Sequence, residues 1–262
     1  MTLELLFLAF LVVALCAFAY RGAVHEFQIL QKDYDEEQNW SELLSEELPL
    51  VIRRLPKSWL GAWSEKATAK KTWQVQVKQD GRRFKTTWAN WLATKDPKPQ
   101  PENSAEISQV ARLGHAISNM TADGLRRWSW LPPGAPKPSV FSAKDFYGVD
   151  KLSAEFTIVV ATDGAPLDLW IAHEGAIPAN VSEDLVGKDP WVITTEDVPW
   201  IGEVKYVEMR LRPGNAVLVP KHWWLAIRHG GGDGTAWFWQ GAFQTPISWI
   251  ASKLRSPSKT ET

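Results

Sequence analysis

The chain has 262 residues, 45% hydrophobic and 23% charged, a globular composition with room for one generous domain and unlike that of a disordered or fibrous chain. A net charge of −1 excludes an overall basic field that would hold nucleic acid regardless of sequence, and a single cysteine, Cys16, excludes an intramolecular disulfide framework. Sixteen tryptophans against four tyrosines weight the sequence towards large indoles that belong in a core or at an interface.

Leu3 to Tyr20 (LELLFLAFLVVALCAFAY) carries one charge, Glu4, and is closed by Arg21. Roughly 18 residues at 1.5 Å rise span about 27 Å, enough for a thin or average hydrocarbon core. No Lys or Arg precedes the run, which speaks against a cleaved signal peptide, although Ala17-Phe18-Ala19 has the small-residue pattern of a cleavage site. A buried core helix would show a polar stripe, and this run is apolar all round. The expectation is an uncleaved transmembrane anchor over residues 1–22, touching the membrane through residues 3–20. The first basic residues follow this segment, so a single-pass protein with its C-terminal domain on the cytoplasmic side is expected. Sequons at Asn39, Asn119 and Asn180 argue the other way.

Residues 23–48 are expected to form a connecting helical segment that leads into a short strand at Leu50–Arg53. TWQVQVKQDGRRFKT alternates around Asp80-Gly81, a dipeptide suited to a two-residue hairpin turn, and TTWANWLATK should follow as a short helix. Proline punctuates a surface loop at 96–104. Residues 105–120 have helical spacing, with Ile107, Val110, Leu113 and Ile117 on one face. After a second rigid loop at 131–138, short strands succeed one another between Gly and Pro turns: EFTIVVATDG, PLDLWIA, PWVITT, VKYVEMRL, NAVLVP, WWLAIRH and TAWFWQGAF. Strands at this spacing indicate a sandwich or barrel, expected over residues 49–252, with a disordered tail at 253–262. The glycine run at 229–234 sits between strands and reads as a hairpin, not a phosphate cradle.

Three segments in order carry a family likeness: Pro166-Leu167-Asp168-Leu169-Trp170, Gly187-Lys188-Asp189-Pro190-Trp191, and Leu211-Arg212-Pro213-Gly214-Asn215 running on through Pro220-Lys221-His222-Trp223-Trp224. Together they resemble the cupin-like JmjC-type oxygenases. The resemblance implies a mainly β fold with accessory helices, a double-stranded β-helix or jelly roll, and in active members Fe(II) and 2-oxoglutarate. Such iron chemistry needs two histidines and a carboxylate on one face of the metal.

Against the family's pattern, Asp168 and Trp170 stand where the first histidine and the acid belong, and Leu225 stands where the last histidine belongs. Asp189 occupies the place of the lysine that pairs with the cosubstrate. Strand alternation turns His173 outward when counted from an inward Asp168, and counted back from Leu225 it puts His222 with Trp224 on the face opposite Trp223 and Leu225. Neither a nucleophile elbow nor a Cys–His pair is present. The expectation is a degenerate site with no metal and no cofactor. The alternative is an active oxygenase with noncanonical ligands, for instance Asp168 with His173 and His222. A binding cupin that uses its tryptophans as a stacking platform is a third reading.

Charge is uneven along the chain. Residues 33–47 (DYDEEQNWSELLSEE) are acidic, whereas Lys66, Lys70, Lys71, Lys78, Arg82, Arg83 and Lys85 cluster within 66–85. With the tryptophan surplus, this pattern leads to the expectation of a non-enzymatic structural or protein-interaction protein at a membrane, in a virion or another membrane-apposed assembly, with a protein partner and no nucleic acid.

Overall fold

A computed structural model describes residues 28–69, 71–79, 82–94, 101–122, 135–177, 182–246 and 248–250. The expected anchor at 1–22, the tail at 253–262, Lys70, the Asp80-Gly81 dipeptide and Asn180 lie outside these residues. Among the described residues no helix is long and apolar enough to cross a membrane.

The chain is mainly β with accessory helices. It opens with β1 (Leu30–Asp33), which pairs in parallel with β2 (Leu50–Arg53), Leu30 opposite Leu50. The helical segment expected over 23–48 is thus, in its described part, a strand followed by one short helix, α1 (Trp40–Ser45). Tertiary pairing overrides local propensity here: LQKD has no decisive pattern of its own, and the edge of β2 recruits it. Two further short helices follow, α2 (Lys57–Leu60) and α3 (Glu65–Thr68); the Ser64 hydroxyl caps α3 by accepting from the Ala67 N–H.

Strands β3 (Gln74–Gln79) and β4 (Arg82–Thr87) pair antiparallel as expected, with Gln79 opposite Arg82. Then come α4 (Trp88–Leu92), α5 (Ser104–Val110) and α6 (Leu113–Ala122). The single helix expected over 105–120 is two, because Arg112 takes a left-handed φ of 56° and breaks it.

The remaining strands are β5 (Lys137–Phe141), β6 (Phe146–Lys151), β7 (Phe156–Gly164), β8 (Leu167–His173), β9 (Tyr206–Leu211), β10 (Asn215–Pro220), β11 (Trp223–His229) and β12 (Ala236–Phe243). One sheet runs β1-β2-β10-β7-β12-β5 and the other β6-β11-β8-β9. From β5 to β12 the chain passes back and forth between the two sheets, which makes an eight-stranded jelly roll. The strand expected at PWVITT does not form. The Asp189 carboxylate instead accepts from the Trp191 N–H at 3.0 Å and folds the segment into turns.

Three apolar clusters fill this frame. Leu167, Leu169, Ile171, Val217, Val219, Leu225, Ile227 and Phe238 meet between the sheets. On the outside of the larger sheet, Ile158, Val160, Leu218, Trp237 and Trp239 are covered by the helices through Trp59, Trp88, Trp91, Leu113 and Met120. On the outside of the smaller sheet, Trp170, Ala172, Trp224 and Ala226 are covered by Ile177, Leu185, Trp191, Trp200 and Val204 from the long β8–β9 connection. That connection also lies against β6: a Cβ at Gly148 would meet the Gly187 carbonyl oxygen at 2.3 Å, so only glycine allows this approach.

Candidate functional site

Pairing between β8 and β11 decides which side chains point into the barrel. Leu225 lies opposite Ile171, Ile227 opposite Leu169 and His229 opposite Leu167, whereas Asp168 lies opposite Arg228 and Trp170 opposite Ala226. The first set belongs to the interior cluster or its end, and Trp170 and Ala226 belong to the outer one. Asp168 and Trp170 therefore face away from the barrel while Leu225 faces into it. The three positions identified from the sequence do not meet. Counting from an inward Asp168 inverted the whole strand, and His173, on the parity of Leu167 and Ile171, stands edge-on to Trp223 with ring centroids 5.1 Å apart.

On the outer face Asp168 is an ion-pair partner. Arg210, directly across on β9, donates to it from Nε at 2.8 Å and from Nη2 at 3.2 Å, and Arg228 Nη2 lies 3.6 Å away. Arg228 also stacks over the Trp191 ring at 4.3 Å. This bidentate arrangement uses both carboxylate oxygens. Asp189 is likewise engaged in its turn, outside the barrel.

The carboxylate next to Leu225 is Asp150 on β6. A bulge between Leu225 and Ile227 keeps Tyr147 and Asp150 on one side of β6, and the Tyr147 hydroxyl donates to Asp150 Oδ2 at 3.1 Å. Burial, then the Asp150 charge and this hydrogen bond, push the Tyr147 hydroxyl well above its usual range, so it stays a proton donor. Sequence reasoning missed this pair because FYGVDK, with a central glycine, did not read as a strand.

A second polar group sits where β6 and β8 end and β11 begins. Lys151 forms an ion pair with Glu174 Oε1, His222 Nδ1 lies 3.0 Å from Glu174 Oε2, and the Glu174 N–H donates to the His222 carbonyl at 2.7 Å. His222 adopts a left-handed φ of 67°, which aims its ring at Glu174. Burial alone would raise the Glu174 value, but hydrogen bonds from Lys151 and His222 outweigh it and hold the carboxyl below the usual range. The sequence signal for this group is the odd placement of a histidine in a β-turn, Pro220-Lys221-His222, where His is one of the few side chains tolerated at positive φ. His229, buried at the opposite end of β11, is fully engaged: Nδ1 accepts from the Gly231 N–H and Nε2 lies 3.1 Å from the Gly234 carbonyl.

These groups do not fit an iron centre of the facial-triad kind. Asp168 and His173 are five residues apart on one strand, about 17 Å at strand rise, and on opposite faces. Among the described residues no three His, Cys, Asp or Glu side chains converge where one cation would sit. Directly beside Leu225, β6 offers the Asp150 carboxylate and the Tyr147 phenol, and β8 offers Ile171.

No protein-family model matches the chain, and no curated protein does. Among solved structures it is similar to the Escherichia coli ribosomal oxygenase YcfD, at 12% identity and a TM-score of 0.49, with 85% of this chain and 57% of that one covered. A second structure of E. coli YcfD gives the same identity and TM-score over 88% of this chain and 63% of that one. The chain thus spans about three-fifths of the length of the proteins it matches.

Proposed function

We propose that this chain is a non-enzymatic interaction protein, tethered to a membrane by residues 3–20, whose jelly roll is a packed scaffold and not a reaction vessel. The observation that carries the reading is the row Asp150–Leu225–Ile171 across β6, β11 and β8: a 2% exposed leucine is packed inside the barrel at the position where the resemblance would put the last histidine ligand, and the adjacent carboxylate is bound by Tyr147. A membrane-apposed assembly, such as a virion, is the setting that a short anchor and a silent barrel suit. The tether is tested by fractionation: the protein should resist extraction by alkaline carbonate, and a mature N-terminus at Tyr20 would contradict the anchor. The silent barrel is tested by calorimetric titration of the full chain with 2-oxoglutarate in the presence of Mn(II), where no heat of binding is expected. Saturable binding of both would restore the oxygenase reading.

A further inference from the structure

The larger sheet carries opposite charge at its two sides. Towards its β12–β5 side stands the β3–β4 hairpin, fixed there because Trp63 and Trp88 pack on Trp237 of β12 and the Trp63 N–H donates to the Ser139 carbonyl of β5 at 3.0 Å. Val75 and Val77 of the hairpin are buried, while Lys78, Arg82, Arg83 and Lys85 are exposed, and Phe84 among them is 43% exposed. Lys78 lies directly opposite Arg83. Like charges across a strand pair repel, and here only Arg83 has an ion-pair partner among the described residues, Glu102 at 2.9 Å. Lys66 and Lys71 add exposed charge nearby in sequence.

At the other side of the sheet, the connection between β1 and β2 exposes Asp35, Glu36, Glu37, Glu42, Glu46 and Glu47. Asp33 is taken by Arg53 and Arg54, and Glu47 lies 3.9 Å from Lys221; the other five carboxylates form no ion pair with a described residue. Six strands put the sheet's edges about 24 Å apart, well beyond a Debye length at ordinary salt, so the two patches do not neutralise each other within one molecule.

We propose that the basic β3–β4 hairpin of one copy seats on the acidic β1–β2 connection of the next copy. This rests on the interaction-protein reading above and names its partner: a second copy of the chain. Because the two surfaces differ, the contact is heterologous and leaves one patch free at each end of a pair, so it extends into a ring or a row. Phe84 supplies the apolar centre of a contact otherwise made by charge.

Two differently tagged full-length copies, co-expressed and solubilised in mild detergent, test this by mutual recovery. The wild type should co-purify at about 0.1 M salt and separate at about 1 M, where the screening length falls to roughly 3 Å. A hairpin variant (Lys78→Glu, Arg82→Glu, Arg83→Glu, Lys85→Glu) and an acidic-face variant (Glu36→Lys, Glu37→Lys, Glu42→Lys, Glu46→Lys) should each lose self-recovery. Mixed with each other they should regain it, which also shows that both fold. Overturning results are a wild type with no self-recovery at low salt, self-recovery by either variant alone, or no recovery of the mixture. Phosphatidylserine vesicles form a further arm: capture of the wild type and of the acidic-face variant, but not of the hairpin variant, in the absence of self-recovery would assign the hairpin to a lipid surface instead. A wild type that does not self-associate would overturn this contact and leave the packed barrel standing, because metal and 2-oxoglutarate titration decides that separately.

Discussion

The inside of the barrel and the outside of the larger sheet are both dry, but they are built from different residues. Leucine, isoleucine and valine dominate the interior cluster, whereas the outer cluster holds Trp40, Trp59, Trp63, Trp88, Trp91, Trp237 and Trp239. A narrow space between two sheets is filled by small branched side chains that interdigitate, and a broad sheet face under several short helices is filled by indoles that each span a wide gap. The tryptophan surplus, read from the sequence as a sign of protein contacts, is thus largely accounted for by fastening helices and loops to the jelly roll. Among the described tryptophans only Trp249 has a prominently exposed side chain. Charge, and not aromatic surface, is what remains to argue for a partner.

Substitutions on the two faces should separate these roles. The largest loss is expected at Trp237, which Trp63 and Trp88 both contact. Trp237→Ala should lower unfolding free energy by about 3–5 kcal/mol. Because the hairpin is fastened through the same ring, protease should then cut first between residues 71 and 94. Uniform protection there would mean that the helices and hairpin are held independently of this cluster.

Inside the barrel, Leu225→Ala should cost roughly 2–5 kcal/mol with no opening of the hairpin, because the cavity lies between the sheets. Leu225→His should also be destabilised, since it adds an imidazole to an apolar site, and it should gain no oxygen consumption. Chemical denaturation of both variants reads this directly; an unchanged midpoint for Leu225→His would argue that the site is roomier than its 2% exposure indicates.

A smaller effect is expected at Asp168. Asp168 pairs with the largely exposed Arg210 and lies 3.6 Å from Arg228, so Asp168→Asn should lower the unfolding midpoint slightly, Arg210→Gln by no more than that, and the double variant no further than Asp168→Asn alone. Strict additivity of the two losses would show that they do not act as a pair.

The smallest effect is expected at Glu174. Its carboxyl is held below the ordinary value of 4.5, so the stability it contributes is present above that pH and is lost as pH falls through the folded value. Wild type and Glu174→Gln should therefore differ at neutral pH and converge under acid. A gap that persists in acid would assign the loss to packing and not to the Lys151 and His222 contacts.

How far the sequence could be read follows from the same contrast. The apolar runs at 156–160, 215–220 and 223–229 declare themselves as strands between turn residues, and their pairing into a jelly roll matches the fold that the motif order implied. β5 and β6 did not, because Pro138 and Gly148 look like loop residues until a neighbouring strand and a close backbone approach account for them. The PWVITT segment alternates like a strand, but Trp191 and Ile193 pack onto a sheet without joining it. LDLWIAH defeated the site reading most directly. It is apolar on both faces, since Leu167, Leu169 and Ile171 fill the barrel while Trp170 and Ala172 fill the outer cluster, so alternation alone could not say which way Asp168 points. That choice was made by cross-strand partners, Arg210 and Arg228, which lie on other strands.

A packed barrel around Leu225, short of donors for a catalytic metal, should hold no iron. Elemental analysis of the full chain after anaerobic incubation with Fe(II) and 2-oxoglutarate, followed by desalting, tests it most directly. Metal well below one equivalent is expected, unchanged in Asp150→Asn, His173→Ala and His222→Ala. One equivalent of iron that disappears when any of those residues is replaced would contradict it.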